Sequence, residues 1–103
     1  MYVILTSKPG QFRTEITDGM TPVEAWDYLF CGTRRARFVI ADLAAETRVR
    51  VIDEAPPPVV NLVPTKFLQK FETIEDARRA LAHLTRFGGA DTALQPAPLA
   101  EPA

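Results

Sequence analysis

Arg35-Ala36-Arg37-Phe38-Val39-Ile40-Ala41-Asp42-Leu43 is followed, across Ala44-Ala45-Glu46, by Thr47-Arg48-Val49-Arg50-Val51-Ile52. Both runs are rich in β-branched and aromatic residues, and both alternate, so residues 35–43 and 47–52 read as strands of one hairpin. Pairing Asp42 with Thr47 sets Ile40 opposite Val49 and Phe38 opposite Val51, which makes one apolar face. A slip of one residue would set apolar side chains against charged ones, so the pattern specifies the register. The same register sends Arg35, Arg37, Arg48 and Arg50 to the opposite face, around Val39 and Ala41. Four guanidiniums on one patch suit a carboxylate, a phosphate or an acidic partner, because each offers a rigid fork of donors. The plainer reading is a solvated face whose charges pair with Glu15, Asp42, Glu46 or Glu54.

Upstream, Tyr2 to Thr6 is apolar and β-branched, and Lys8-Pro9-Gly10 breaks it as a turn. Phe12, Thr14 and Ile16 then alternate with polar residues, so residues 2–17 read as another hairpin, closed by Asp18-Gly19. Thr21-Pro22-Val23-Glu24 has the form of a capping box with proline at the first helical position. A helix is expected from there, with Val23, Trp26, Leu29 and Phe30 on its apolar side, Tyr28 exposed and Gly32 as its C-terminal stop.

Downstream, Pro56-Pro57-Pro58 forces an extended crossing. Residues 59–63 form a candidate strand that Pro64 makes short or places at a sheet edge, and Lys66 to Phe71 alternates as a further strand. Thr73-Ile74-Glu75-Asp76 opens a second helix that runs through Ala77, Leu81 and Leu84 to Gly88-Gly89. From residue 89 the chain is rich in proline and alanine, so a single α+β domain over 1–88 with a mobile tail over 89–103 is expected. The expected order is ββαβββα, with two helices packed on one sheet face. Over residues 2–32 the hairpin and following helix resemble the front of a β-grasp fold. A ferredoxin-like arrangement is the competing topology.

The 103 residues fit one domain, and a net charge of −1 argues against a dedicated nucleic-acid binder. One cysteine, Cys31, precludes an internal disulfide or a multi-cysteine metal site and suits a reducing compartment. No apolar run is long enough to cross a bilayer, and Met1 to Leu5 is too short for a signal peptide, so a cytoplasmic protein is expected. Cys31 would close a helix, where the dipole does not activate a thiol. The lone His83 lacks a second ligand or an oriented nucleophile. Lys8-Pro9-Gly10 is not a phosphate loop, and Glu75-Asp76 reads as charge at a helix start. Trp26 reads as core. No cofactor or metal is implied.

The expectation is therefore a small non-enzymatic accessory or adaptor protein. It would dock on an acidic surface of a larger protein through Arg35, Arg37, Arg48 and Arg50, with Tyr28 as an aromatic anchor. A sensing domain in which the arginines hold an anionic metabolite is the alternative, and a small enzyme using Cys31 or His83 is the weaker one. Edge pairing near Pro64 would allow a homodimer.

Overall fold

The computed structural model describes residues 1–85 and 92–99. Among these residues seven strands and one α-helix follow in the order β1 (Tyr2–Ser7), β2 (Phe12–Glu15), β3 (Met20–Phe30), β4 (Thr33–Leu43), β5 (Arg48–Asp53), β6 (Val60–Pro64), α1 (Ile74–Thr85) and β7 (Thr92–Ala97). A 3₁₀ turn, Thr65–Phe67, lies between β6 and α1. Sheet A has the order β1-β4-β3-β7 and sheet B the order β2-β5-β6, and every pairing is antiparallel. The described residues are 55% strand and 16% helix, which overturns the expected two helices on one sheet.

The first expected helix is β3. Its residues include Thr, Val, Trp, Tyr and Phe, which suit a pleated surface better than a helix. Pro22 is tolerated because β7 pairs β3 only from Ala25 onward, so at Pro22 the strand has one neighbour. A register shift between Pro22 and Glu24 leaves Val23 as an extra, exposed residue, a bulge beside the proline. Gly32 ends no helix. It stands with Cys31 in the two-residue turn joining β3 to β4, where φ is 51° at Cys31 and 77° at Gly32. Positive φ at both central positions is the hairpin turn whose twist matches its strands.

The other corrections have one cause, a chain that changes sheets. β1 and β2 meet at the Lys8–Phe12 bridge, where Lys8 N–H donates to the Phe12 carbonyl at 2.9 Å. Thr14 N–H then donates to Ser7 Oγ at 2.8 Å, and the strands part, β1 into sheet A and β2 into sheet B. β4 and β5 do not pair. β4 lies between β1 and β3, with Ile40 opposite Ile4 and Glu24 rather than Val49, while β5 lies between β2 and β6. Lys66 to Phe71 is no strand. It carries the 3₁₀ turn and a single bridge in which Tyr2 and Phe71 exchange backbone hydrogen bonds at 2.7 and 2.8 Å. In the segment expected to be a mobile tail, residues 92–97 are β7 on the edge of sheet A. Residues 89–91 and 100–103 of that tail, and the Gly88-Gly89 helix stop, lie outside the described residues.

Directly opposed residues share a sheet face. Val3, Leu5, Ala25, Val39 and Ala41 therefore form one face of sheet A, and they cluster with Val49 of sheet B, flanked by Val51 and Val63. The opposite face bears Ile4, Ile40, Glu24 and Trp26, and α1 lies over it, burying Ala77 and Leu81. Helix α1 and strand β6 follow the sequence reading. Thr73 Oγ1 accepts the Asp76 N–H at 3.0 Å as a helix N-cap.

Candidate docking face

Because Val49, Val51 and Val63 turn into the core, their neighbours Arg48, Arg50, Val60 and Leu62 stand on the outer face of sheet B, whereas Ile52, on the same side of β5, is covered. Arg48 and Arg50 are exposed. Arg50 reaches Glu15 of β2 at 3.6 Å, an exposed pair of small worth, and Glu15 is one of the acids the sequence offered. Arg48 makes no ion pair among the described residues. Beside them, Val60 and Leu62 are 55% and 52% exposed, unusual for large apolar side chains within a strand.

The other expected binding residues lie elsewhere. Arg37 points to the inner face of sheet A and is 4% exposed. Its guanidinium donates from Nε to Asp27 Oδ1 at 2.8 Å and from Nη2 to Asp27 Oδ2 at 3.2 Å. Asp27 is its cross-strand partner, and Arg34 also approaches that carboxylate, at 3.9 Å. Arg35 is the extra residue of a second bulge, where Tyr28 pairs with Ala36 but Leu29 with Arg34, and its guanidinium sits 5.9 Å from the Phe30 ring centre. Tyr28 is half-buried between Ala36 and Leu94. Only Arg48 and Arg50 of the expected set are brought together. The structure separates Arg37 and Arg50 because their strands belong to different sheets.

Two polar clusters brace the fold. Glu24 takes two hydrogen bonds from Arg78 of α1, at 2.8 and 2.7 Å, and one from Trp26 Nε1 at 2.9 Å. The Arg78 hydrogen bonds hold its carboxyl below the ordinary glutamate range, against the opposing effect of burial, and the same pairing raises Arg78. At the corner between β4 and β5, Glu46 accepts a hydrogen bond from the hydroxyl of the fully buried Thr65 and pairs with Lys70 at 3.0 Å. Those contacts, Thr65 first, lower the Glu46 carboxyl.

A cleft of about 370 Å³ opens between sheet A, the 68–71 segment and α1, lined by Ile4, Leu68, Phe71, Ala80 and Leu84 with Thr6, Gln69 and His83. Cys31 is exposed at the β3–β4 turn. Phe38 lies opposite Thr6 of the cleft wall, and five residues of β4, about 17 Å at strand rise, separate it from that turn. His83 and Cys31 thus belong to different parts of the molecule. Among the described residues no group of three His, Cys, Asp or Glu could hold a metal ion, and no helix is long and apolar enough to cross a membrane. Sequence reasoning missed the exposure of Val60 and Leu62, although Pro64 marked β6 as a short or edge strand. It also read Glu24 as a helix cap, when its hydrogen bonds go to a helix over fifty residues away.

No family model, curated protein or solved structure matches the chain.

Proposed function

We propose that this chain is a small, non-enzymatic cytoplasmic accessory protein that docks on a larger protein with an acidic surface. The outer face of sheet B makes the contact. The observation that carries this reading is the adjacency of two exposed guanidiniums, Arg48 and Arg50, to two exposed aliphatic side chains, Val60 and Leu62. Such a mixture combines electrostatic steering with an apolar anchor. Arg37 has no part in it, since Asp27 already satisfies it inside the fold.

The reading is tested by capturing partners on the immobilised full chain at low and high salt, beside an Arg48→Glu, Arg50→Glu variant. One partner retained at low salt, weakened by salt and lost on charge reversal is the expected result. Equal recovery on both chains counts against the face, and no specific partner at either salt counts against docking.

The cleft beside α1 supports a second reading, a small-molecule sensing domain. Its volume and mostly apolar walls fit a ligand with an aliphatic or aromatic body, with Thr6, Gln69 and His83 as polar groups. Among the described residues no arginine lines it, so the ligand differs from the anionic metabolite that the sequence suggests. A thermal-shift panel of apolar alcohols and amides tests this, and a flat response disposes of it.

A further inference from the structure

Strand β6 ends sheet B, and its hydrogen-bonding pattern shows which backbone groups face outward. Asp53 N–H donates to Val59 C=O at 2.9 Å, and Thr65 N–H to Thr47 C=O at 2.8 Å. Bonded and non-bonded positions alternate along an antiparallel pair, so residues 59, 61 and 63 bond to β5. Val60 and Leu62 therefore turn their N–H and C=O groups away from the sheet, and no backbone partner meets them among the described residues. Pro64, the next outward position, has no N–H to leave unmatched. The edge is open and carries no charge from residue 58 to residue 64, although edges are commonly protected by lysine or other charges.

Along the outer face, each outward position of β6 has a different neighbour on β5. Val60 lies opposite Ile52, Leu62 opposite Arg50 and Pro64 opposite Arg48. An added strand would lie two strand spacings from β5, about 10 Å, a gap that the long side chains of arginine and glutamate close between them. An antiparallel strand continues the pattern of sheet B and meets Pro64, Leu62 and Val60 in that order.

We propose, resting on the docking reading above, that the partner adds an extended strand to the free edge of β6. The strand carries the pattern acidic-x-acidic-x-aliphatic, its two carboxylates reaching Arg48 and Arg50 and its aliphatic residue packing on the exposed Val60. A second copy of the chain does not supply that pattern. Acidic residues stand at 15, 18, 24, 27, 42, 46, 53, 54, 72, 75, 76, 91 and 101, and no two are two positions apart. Pairing β6 with β6 would place only uncharged residues beside the arginines. Recognition by strand addition takes affinity from the backbone and specificity from alternate side chains.

The test uses the ¹⁵N-labelled full chain and capped nonapeptides with Glu-Thr-Glu-Thr-Val at the centre. Controls carry Gln for Glu, or the central five residues in reverse order. The expected result is saturable binding with shifts at the Val60 and Leu62 amides, weakened at least about tenfold, one charge-assisted contact, by Glu→Gln in the peptide or by Arg48→Glu, Arg50→Glu in the chain. Val60→Pro removes one outward N–H at a position where the edge tolerates proline, and it weakens binding while far-UV circular dichroism stays unchanged. Binding that needs the arginines but ignores Val60→Pro and peptide order overturns strand addition and leaves the docking reading standing. No binding of the Glu peptide at millimolar concentration overturns the proposal, and partner capture judges the docking reading separately. Sedimentation as a dimer that Val60→Pro dissolves also overturns it, because a second copy then occupies the edge.

Discussion

Strands β4 and β6 both carry apolar runs, yet the centre of one is enclosed and most of the other is exposed. β4 has a neighbour on each side and a layer on each face, with Val39 and Ala41 against sheet B and Ile40 against α1. β6 has one neighbour and one covered face, so Val63 is inside while Val60 and Leu62 meet solvent. Hydrophobicity alone does not separate the two. What separates them is backbone chemistry: β4 contains no proline from 33 to 43, whereas β6 is bracketed by Pro58 and Pro64.

Proline substitution gives the largest contrast. Ile40→Pro removes a backbone donor in a strand paired on both sides and empties a fully buried site, and circular dichroism is expected to show an unfolded chain. The same change at Val60 leaves the melting curve close to wild type. Truncation sharpens the comparison next. Ile40→Ala costs about 3 kcal/mol in urea unfolding, from lost burial and the cavity left behind, and Leu62→Ala stays within about 0.5 kcal/mol. Equal losses at the two sites would mean that β6 is covered in solution.

Asp27→Ala tests the polar end of β4 and costs about 3 kcal/mol, because it strips the buried Arg37 guanidinium of its bidentate partner. A cost near zero would show that Arg37 swings out to water. The smallest effect concerns the cover over β4, where Glu24 and Arg78 tie β3 to α1. The folded Glu24 carboxyl titrates below its unfolded value, so the stability it contributes is fully present above the ordinary glutamate pKa and is lost as pH falls through the folded value. Glu24→Gln is therefore less stable than wild type at neutral pH, and the gap closes on acidification. A gap that widens on acidification contradicts the assignment.

The strand positions of β1, β2, β4, β5 and β6 and the capped helix α1 were legible in local pattern. Their pairing was not. Alternation in 35–52 identifies two strands, but Val39 and Ala41 are as apolar as Phe38 and Ile40, the mark of a strand covered on both faces. Reading one face as solvent produced a four-arginine patch that the fold divides. The 20–30 segment failed differently. Thr21-Pro22-Val23-Glu24 satisfies helix-start chemistry, while Trp26 and Tyr28, two apart beside Glu24, carry the strand period, and tertiary pairing decided between them. For the candidate site, Arg48 and Arg50 were legible as exposed. Val60 and Leu62 were not, because only the neighbouring strand tells which residues of an edge turn outward.

Strand β7 emerges during synthesis well after its mate, Ala25–Phe30 of β3, which is made roughly 60 residues earlier. At ribosomal speeds of about 5–20 residues per second, that flank of β3 waits several seconds, bare, for its C-terminal neighbour. The nascent chain thus carries a sticky border that the finished molecule lacks, and a stop codon placed before Thr92 would make that border permanent.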